Sequence, residues 1–329
     1  MKVVRLYEYG GPEVMKVEED RRPIAGIHEV LILVQAIGLN YAEVQMRKGT
    51  YPYPLGLPAI LGQWGVVAGI VVGIGDGVTH VEVGMSVITQ VPQGSYAEYV
   101  VVPALFILPA PKEITPAQAT ALLTQGQTAY HTLKFAGRIQ FGDTVLIHAA
   151  AGGVGSLAVQ LAKALHAGKV IATVSTPTKQ ELVRSLGADI IINYSEPNWI
   201  QQVLDHTEGK GADIVLEMVG GQILEGSLRA LAPFGRLVYF GSASASTEKW
   251  DFVNLLQVLE NKSIIGFNIA HFLTSFPELA KEGLEHLYEL VSMNRLNPVV
   301  KHIFPLVNAS EAHALLESRQ TVGTVVLQP

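Results

Sequence analysis

Residues 145–155, VLIHAAAGGVG, set Ala150, Gly152, Gly153 and Gly155 between a short apolar run and a segment with apolar residues at helical spacing. Small residues at a strand-to-helix turn let the backbone come close to a diphosphate, which the free N–H groups and dipole of the helix N-terminus then hold. Ala150 stands where the usual G-x-G-x-x-G pattern has its first glycine, and Val154 is the spacer before its last. The alternative is a merely tight turn between a strand and a helix.

A second constellation follows about twenty residues on. Enzymes that use NAD present a carboxylate there to hold the ribose 2′-OH. Here the run 170–174 ends in Ser175, Thr176, Pro177, Thr178 and Lys179. Hydroxyls and an ammonium attract a 2′-phosphate that a carboxylate would repel, so the segment reads as NADPH over NADH, with Ser175 and Lys179 on the phosphate. The same residues could instead cap the next helix and leave Lys179 solvated; both can hold at once. Tyr194, after the third apolar run, could lie against the adenine or be a surface tyrosine. His148, beside the glycine turn, reads as a packed or hydrogen-bonded core histidine rather than a base. The other nine of the ten histidines show no metal-ligand spacing such as H-E-x-x-H.

These residues need elements to hold them. From about residue 115, where Thr115 caps a helix with Pro116 at its first position, strands and helices alternate. Strand-like runs fall at 145–149, 170–174, 190–193, 213–217, 237–240 and 263–267, with helical stretches at 179–186, 199–206, 222–231 and 253–260. Six strands with crossover helices predict a Rossmann, doubly wound parallel sheet that binds ligand outside the carboxyl ends of its strands. Before it, the runs 29–37, 65–72, 85–90 and 96–102 alternate with glycine and proline turns, which predicts a partly open β-barrel. The last sixty or so residues hold too little core to stand alone. The expected division is α/β with domains at 1–123, 124–265 and a return of 266–329 to complete the first.

Composition narrows the class. The chain has 329 residues, 49% hydrophobic and 16% charged, with a net charge of −6 and no basic stripe, so nucleic acid is not the expected partner. No apolar run is long and glycine-poor enough to span a bilayer, and no targeting pattern precedes the first strand, so a cytoplasmic protein is expected. The absence of cysteine removes disulfides, thiolate nucleophiles and Cys-ligated zinc together.

Several motifs in one order add a resemblance: YGGPEV at 9–14, GLNYA at 38–42, RKGTYP at 47–52, GSYAEYV at 94–100, QTAY at 127–130, HAAAGGVG at 148–155, LGAD at 186–189, GRLV at 235–238 and GTVVL at 323–327. With them the chain resembles the zinc-independent quinone oxidoreductase branch of the medium-chain dehydrogenase/reductase superfamily, nearly end to end. The resemblance implies a GroES-like first domain and a Rossmann domain binding NADPH. Where metal-dependent relatives carry Cys and His-Glu, this chain has Asn40 and Gln63-Trp64, so no metal site is expected.

By the same resemblance Asn40 and Tyr51 face the nicotinamide pocket, Asn40 bonding the ribose or the acceptor oxygen and Tyr51 stacking on or donating to the reduced carbonyl. A turn Asn and a packing Tyr are the plain alternatives. Tyr53 and Trp64 would line the substrate pocket, which Trp64 narrows if it points inward. Thr128 would approach the nicotinamide or its ribose, and Phe240, Ser242 and Phe267 follow strands that line the cofactor cleft. The implied reaction is hydride transfer from NADPH to a quinone or other conjugated carbonyl, a small-molecule partner. The alternatives are an enal or enone C=C reductase, or an NADPH-binding crystallin-like or vesicle-associated protein with little turnover. An exposed sixth strand at 263–269 would pair with a twin, giving a homodimer.

Overall fold

The structure, a computed structural model, describes residues 1–243 and 253–329, with only the backbone at Leu255. By contacts the chain forms two units, one of Met1–Thr124 with Pro298–Pro329 and one of Gln125–Asn297.

The first unit opens with β1 (Lys2–Leu6), β2 (Lys16–Glu19) and the long β3 (Glu29–Leu39). Then come helix α1 (Tyr41–Lys48) and strands β4 (Ala59–Ile60), β5 (Gly65–Ile74), β6 (Ser86–Val91), β7 (Tyr99–Pro103) and β8 (Leu108–Pro109). Helix α2 (Pro116–Ala121) starts at Thr115, whose side chain accepts from Gln118 N, with Pro116 at its first position. Strands β2, β1 and β4 form a small sheet, while β3 pairs antiparallel with both β5 and β7. Both sheets feed one apolar core that includes Val4, Leu6, Ile32, Ile37, Val67 and Val100.

The second unit holds α3 (Gln127–His131), set between π-helical turns at Leu122–Gly126 and Thr132–Ala136. After it come β9 (Thr144–Ile147), α4 (Gly153–Ala164), β10 (Lys169–Val174), α5 (Pro177–Ser185) and β11 (Ile190–Asn193). The second half follows as α6 (Trp199–Asp205), β12 (Ala212–Glu217), α7 (Gln222–Ala230), β13 (Leu231–Tyr239) and β14 (Ser263–Gly266). All strands pair in parallel, in the order β11-β10-β9-β12-β13-β14, so the six-stranded doubly wound sheet is present as expected. The order reverses between β9 and β12. That is the switch point where such sheets open a crevice at their carboxyl ends.

Three expectations need correction. The expected helix at 253–260 is only a short turn of 3-10 helix at Leu255–Gln257. The sixth strand stops at Gly266 rather than continuing to 269, because the Asn268 side chain accepts from His271 N and starts α8 (Ile269–Ser275). Residues 266–297 do not return to the first unit. Helix α9 (Pro277–Ser292) buries Leu284, Leu287 and Val291 in the second, and Gln127 Nε2 donates to Ala280 O at 2.9 Å. The return starts at Pro298 and brings β15 (Val300–Pro305), α10 (Ala309–Glu317) and β16 (Thr324–Gln328). Strand β16 lies between β15 and β3 and completes the larger sheet of the first unit.

Helix α1 is fixed by polar groups that its sequence would place in water. Arg47 is fully buried and pairs with Glu317 of α10, which also pairs with Lys48. Tyr96 Oη and His313 Nε2 bond at 2.8 Å in the same region, where burial and then the Arg47 charge push the His313 imidazole down to about 3. Glu43 is buried and its Oε2 accepts from Asn40 N at 2.6 Å; burial pushes its carboxyl up to about 8. Because an unfolded Glu titrates near ~4.3, the folded chain holds a proton between that pH and about 8 that the unfolded chain has lost. The stabilisation is therefore complete below about pH 4 and drains away as pH rises, by at most ~1.4 kcal/mol per unit. Glu43→Gln does not titrate, so its melting temperature should gain on the parent protein from pH 5 to pH 8 in a calorimetric series. A difference that stays constant with pH would contradict this.

Candidate active site

The glycine turn falls where β9 ends, at the switch point. Gly152 is the N-cap of α4 in an extended conformation, and the first-turn N–H groups of a helix have no acceptor within it. A Cβ at Gly152 would make one tight contact, with Ala149 O at 3.3 Å, and meet nothing else within 4 Å, so this glycine is open on its other sides. A Cβ at Gly155 would lie 2.5 Å from Ala149 O and 2.7 Å from Ala150 Cα, so the third glycine lets the helix press onto the turn. A Cβ at Gly153 would strike the Gln125 side chain at 2.5 Å. Val154 lies between them in the first turn of the helix. Ala150 is tolerated because Ala149 takes the left-handed position, with φ +47°. Ala150 is itself fully buried, and its N donates to Thr173 O at 3.1 Å. The cradle therefore fits a diphosphate on both counts, open at Gly152 and tight at Gly155.

At the carboxyl end of β10, Thr176 is the residue that caps α5, with its Oγ1 accepting from Lys179 N, and Pro177 sits at the first position. Ser175 lies just before this cap and is partly buried. Lys179 is partly buried as well, and burial lowers its ammonium pKa. Tyr194 follows β11 and packs against the apolar cluster of the sheet. Phe240 N donates to Glu217 O at 3.0 Å and Phe267 N to Tyr239 O at 2.9 Å, which puts both just past their strands, with Ser242 two residues after Phe240. Thr128 is buried on α3 and its carbonyl accepts from Thr132 Oγ1 at 2.7 Å.

His148 is a hydrogen-bonded core residue. It is fully buried, with Nδ1 2.9 Å from Thr173 Oγ1 and Nε2 2.9 Å from Ser227 Oγ. Burial lowers its pKa and the nearby Glu217 raises it, with burial the larger effect. Glu217 and Ser227 belong to this cluster, yet they stand 69 and 79 residues from His148 in sequence (217 − 148 and 227 − 148), beyond the reach of any local pattern.

In the first unit, Asn40 is the N-cap of α1 and Tyr51 follows Gly49, the left-handed residue that ends it. The two thus flank one helix, whose eight residues rise roughly 12 Å. Tyr51 is half-buried, and burial, then the neighbouring Tyr53, raises its phenol pKa. The exposed Tyr53 ring lies 6.0 Å from that of Tyr51. Trp64 is also exposed, in a left-handed conformation and edge-on to Phe106 at 6.3 Å. Among the described residues there is no group of three or more His, Asp or Glu that could hold a metal, and no helix long and apolar enough to cross a membrane.

The chain has relatives among known proteins. Residues 26–112 match the alcohol dehydrogenase GroES-like domain and residues 153–285 the zinc-binding dehydrogenase domain. A quinone oxidoreductase of Pseudomonas aeruginosa is 37% identical over 100% of this chain and 99% of its own. A 2-haloacrylate reductase of a Burkholderia species is 34% identical over 98% of each chain. The crystal structure of Escherichia coli quinone oxidoreductase complexed with NADPH superposes over 100% of both chains, with a TM-score of 0.91 at 33% identity. The chain belongs to the quinone oxidoreductase family of the medium-chain dehydrogenase/reductase superfamily, a family of oxidoreductase enzymes.

Proposed function

We propose that the protein transfers hydride from NADPH to a quinone or other conjugated carbonyl, without zinc. The observation that carries this reading is the turn at 149–155, open at Gly152 and sealed at Gly155, with Ser175 and the half-buried Lys179 beyond the neighbouring strand. The N–H groups of residues 153–155 hold the diphosphate. Ser175 and Lys179 hold the 2′-phosphate, and because burial strips water from the Lys179 ammonium, an anion beside it gains more. Tyr194 lies against the adenine, Thr128 against the ribose, and Phe240, Ser242 and Phe267 border the cofactor.

When bound, NADPH supplies the hydride. Asn40 and Tyr51 hold the acceptor. Burial keeps the Tyr51 phenol protonated, so it donates a hydrogen bond to the oxygen that gains negative charge. An amide at Asn40 and the pair Gln63-Trp64 replace the thiolate and imidazole that zinc would need. Tyr53 and Trp64 border the acceptor. A second reading, reduction of a conjugated C=C bond, is favoured by the relative named 2-haloacrylate reductase. We also assign a homodimer: β14 is the outermost strand of its sheet, and Ile264 on it and Leu256 and Leu259 shortly before it in sequence are exposed.

NADPH absorbance followed with a 1,4-quinone and with an enal should show turnover that a chelator does not reduce, and Tyr51→Phe should lower kcat/KM for the acceptor about tenfold, the worth of one hydrogen bond. No turnover with either acceptor would remove the reading. Lys179→Ala should weaken NADPH binding by roughly 10- to 100-fold and leave NADH binding within about twofold; an equal loss for both would exclude the phosphate contact. Light scattering should give twice the chain mass, and a monomer would refute the dimer.

A further inference from the structure

The crevice at the switch point has two walls. One is the glycine turn after β9, already described. The other is the turn at 218–221 after β12, which no sequence motif marks. It is built on two successive left-handed glycines, Gly220 at φ +80° and Gly221 at φ +58°. What holds it is the carboxylate of Glu217, wholly buried at the end of β12. Its Oε1 accepts from Val219 N at 2.6 Å and from Gly220 N at 2.9 Å.

The other oxygen of this carboxylate ends a chain of buried groups. Glu217 Oε2 lies 2.7 Å from Ser227 Oγ, which lies 2.9 Å from His148 Nε2, and His148 Nδ1 lies 2.9 Å from Thr173 Oγ1. Ser227 Oγ also lies 2.7 Å from Ile223 O, so its one proton faces two acceptors. With Glu217 as a carboxylate, which only accepts, Ser227 donates to it and the Ser227 oxygen accepts from His148 Nε2–H. Neutral imidazole then carries no proton on Nδ1, so that atom accepts from Thr173 O–H. Burial keeps His148 in the neutral form the chain requires.

The ends of this chain sit on both walls. Thr173 O accepts from Ala150 N of the glycine turn, and His148 N donates to Leu216 O of β12. We infer that Glu217 is a positioning residue for the cofactor: through the buried chain of Thr173, His148, Ser227 and Glu217 it fixes the turn at 218–221 against the glycine turn, as the second rim of the NADPH site. The inference rests on the proposed function in one respect, that NADPH binds at the glycine turn.

Glu217→Gln tests it with little change of shape. An amide can accept from Val219 N and Gly220 N, but toward Ser227 it presents N–H. Ser227 must then turn its proton away from residue 217, to Ile223 O at 2.7 Å, and its oxygen accepts from the new amide as well as from His148 Nε2–H. Two measurements follow. NADPH fluorescence titration should give a dissociation constant about tenfold higher in the variant, with kcat at saturating NADPH unchanged. Nitrogen-15 NMR of labelled histidine should show His148 as Nε2–H in the parent protein. Ser227→Ala, which breaks the chain at its middle, should weaken NADPH binding by a similar factor. Unchanged NADPH binding in both variants, or an Nδ1–H tautomer in the parent, overturns the inference. A parent protein that binds no NADPH overturns instead the functional reading on which it rests. Should either variant fail to fold, the other variant and the parent tautomer still decide.

Discussion

The second unit depends on one steric constraint: the N-terminus of α4 must lie against the turn that leaves β9. Gly155 allows this by placing backbone where a Cβ would overlap Ala149 O and Ala150 Cα. Once the helix is that close, its dipole and free N–H groups point past Gly152 into open space, and a neighbouring strand on either side adds its own crest. Remove the close approach and the crevice has no floor. The parallel ladder of β10, β9 and β12, apolar and fully buried at Val145, Leu146 and Ile147 of β9, is the rigid base that keeps these crests in register.

The first unit shows the same economy by other means. Helix α1 carries Asn40 at one end and leads directly into Tyr51 at the other, so anything that anchors the helix positions both. The anchor is the buried Arg47 with its partner Glu317, which arrives from the far end of the chain. A buried ion pair contributes little net stability after its desolvation cost, but breaking it by removing one partner leaves an uncompensated charge. Its value here is in fixing the helix rather than in strengthening the core.

Much of this was legible in the sequence. Six parallel strands, the glycine turn and the lack of a carboxylate after β10 all follow from local patterns, and local patterns are where periodicity and turn chemistry act. Boundaries were less so: α8 escaped notice although Asn268 is an ordinary N-cap, because the apolar run before it continues into the helix without a break in hydrophobicity. The place of residues 266–297 could not be read, since α9 is amphipathic and its apolar face would suit either unit. Buried polar groups were the least legible of all. Glu43 and Arg47 look like a solvated helix face until α10 covers them, and Glu217, Ser227 and Thr173 meet His148 only through the sheet.

The strand order of the first unit has a consequence for synthesis. Its central strand β3 has β16 as one neighbour, so that sheet stays unfinished until residues 324–328 have left the ribosome. The second unit is one continuous segment, Gln125–Asn297, and has all its strands and helices earlier. Domains generally fold as units while the chain is being made. The order of completion is therefore the reverse of the order of appearance: the nucleotide-binding unit, begun second, is whole first, while β3 waits with an open edge that nascent chains must keep from pairing elsewhere.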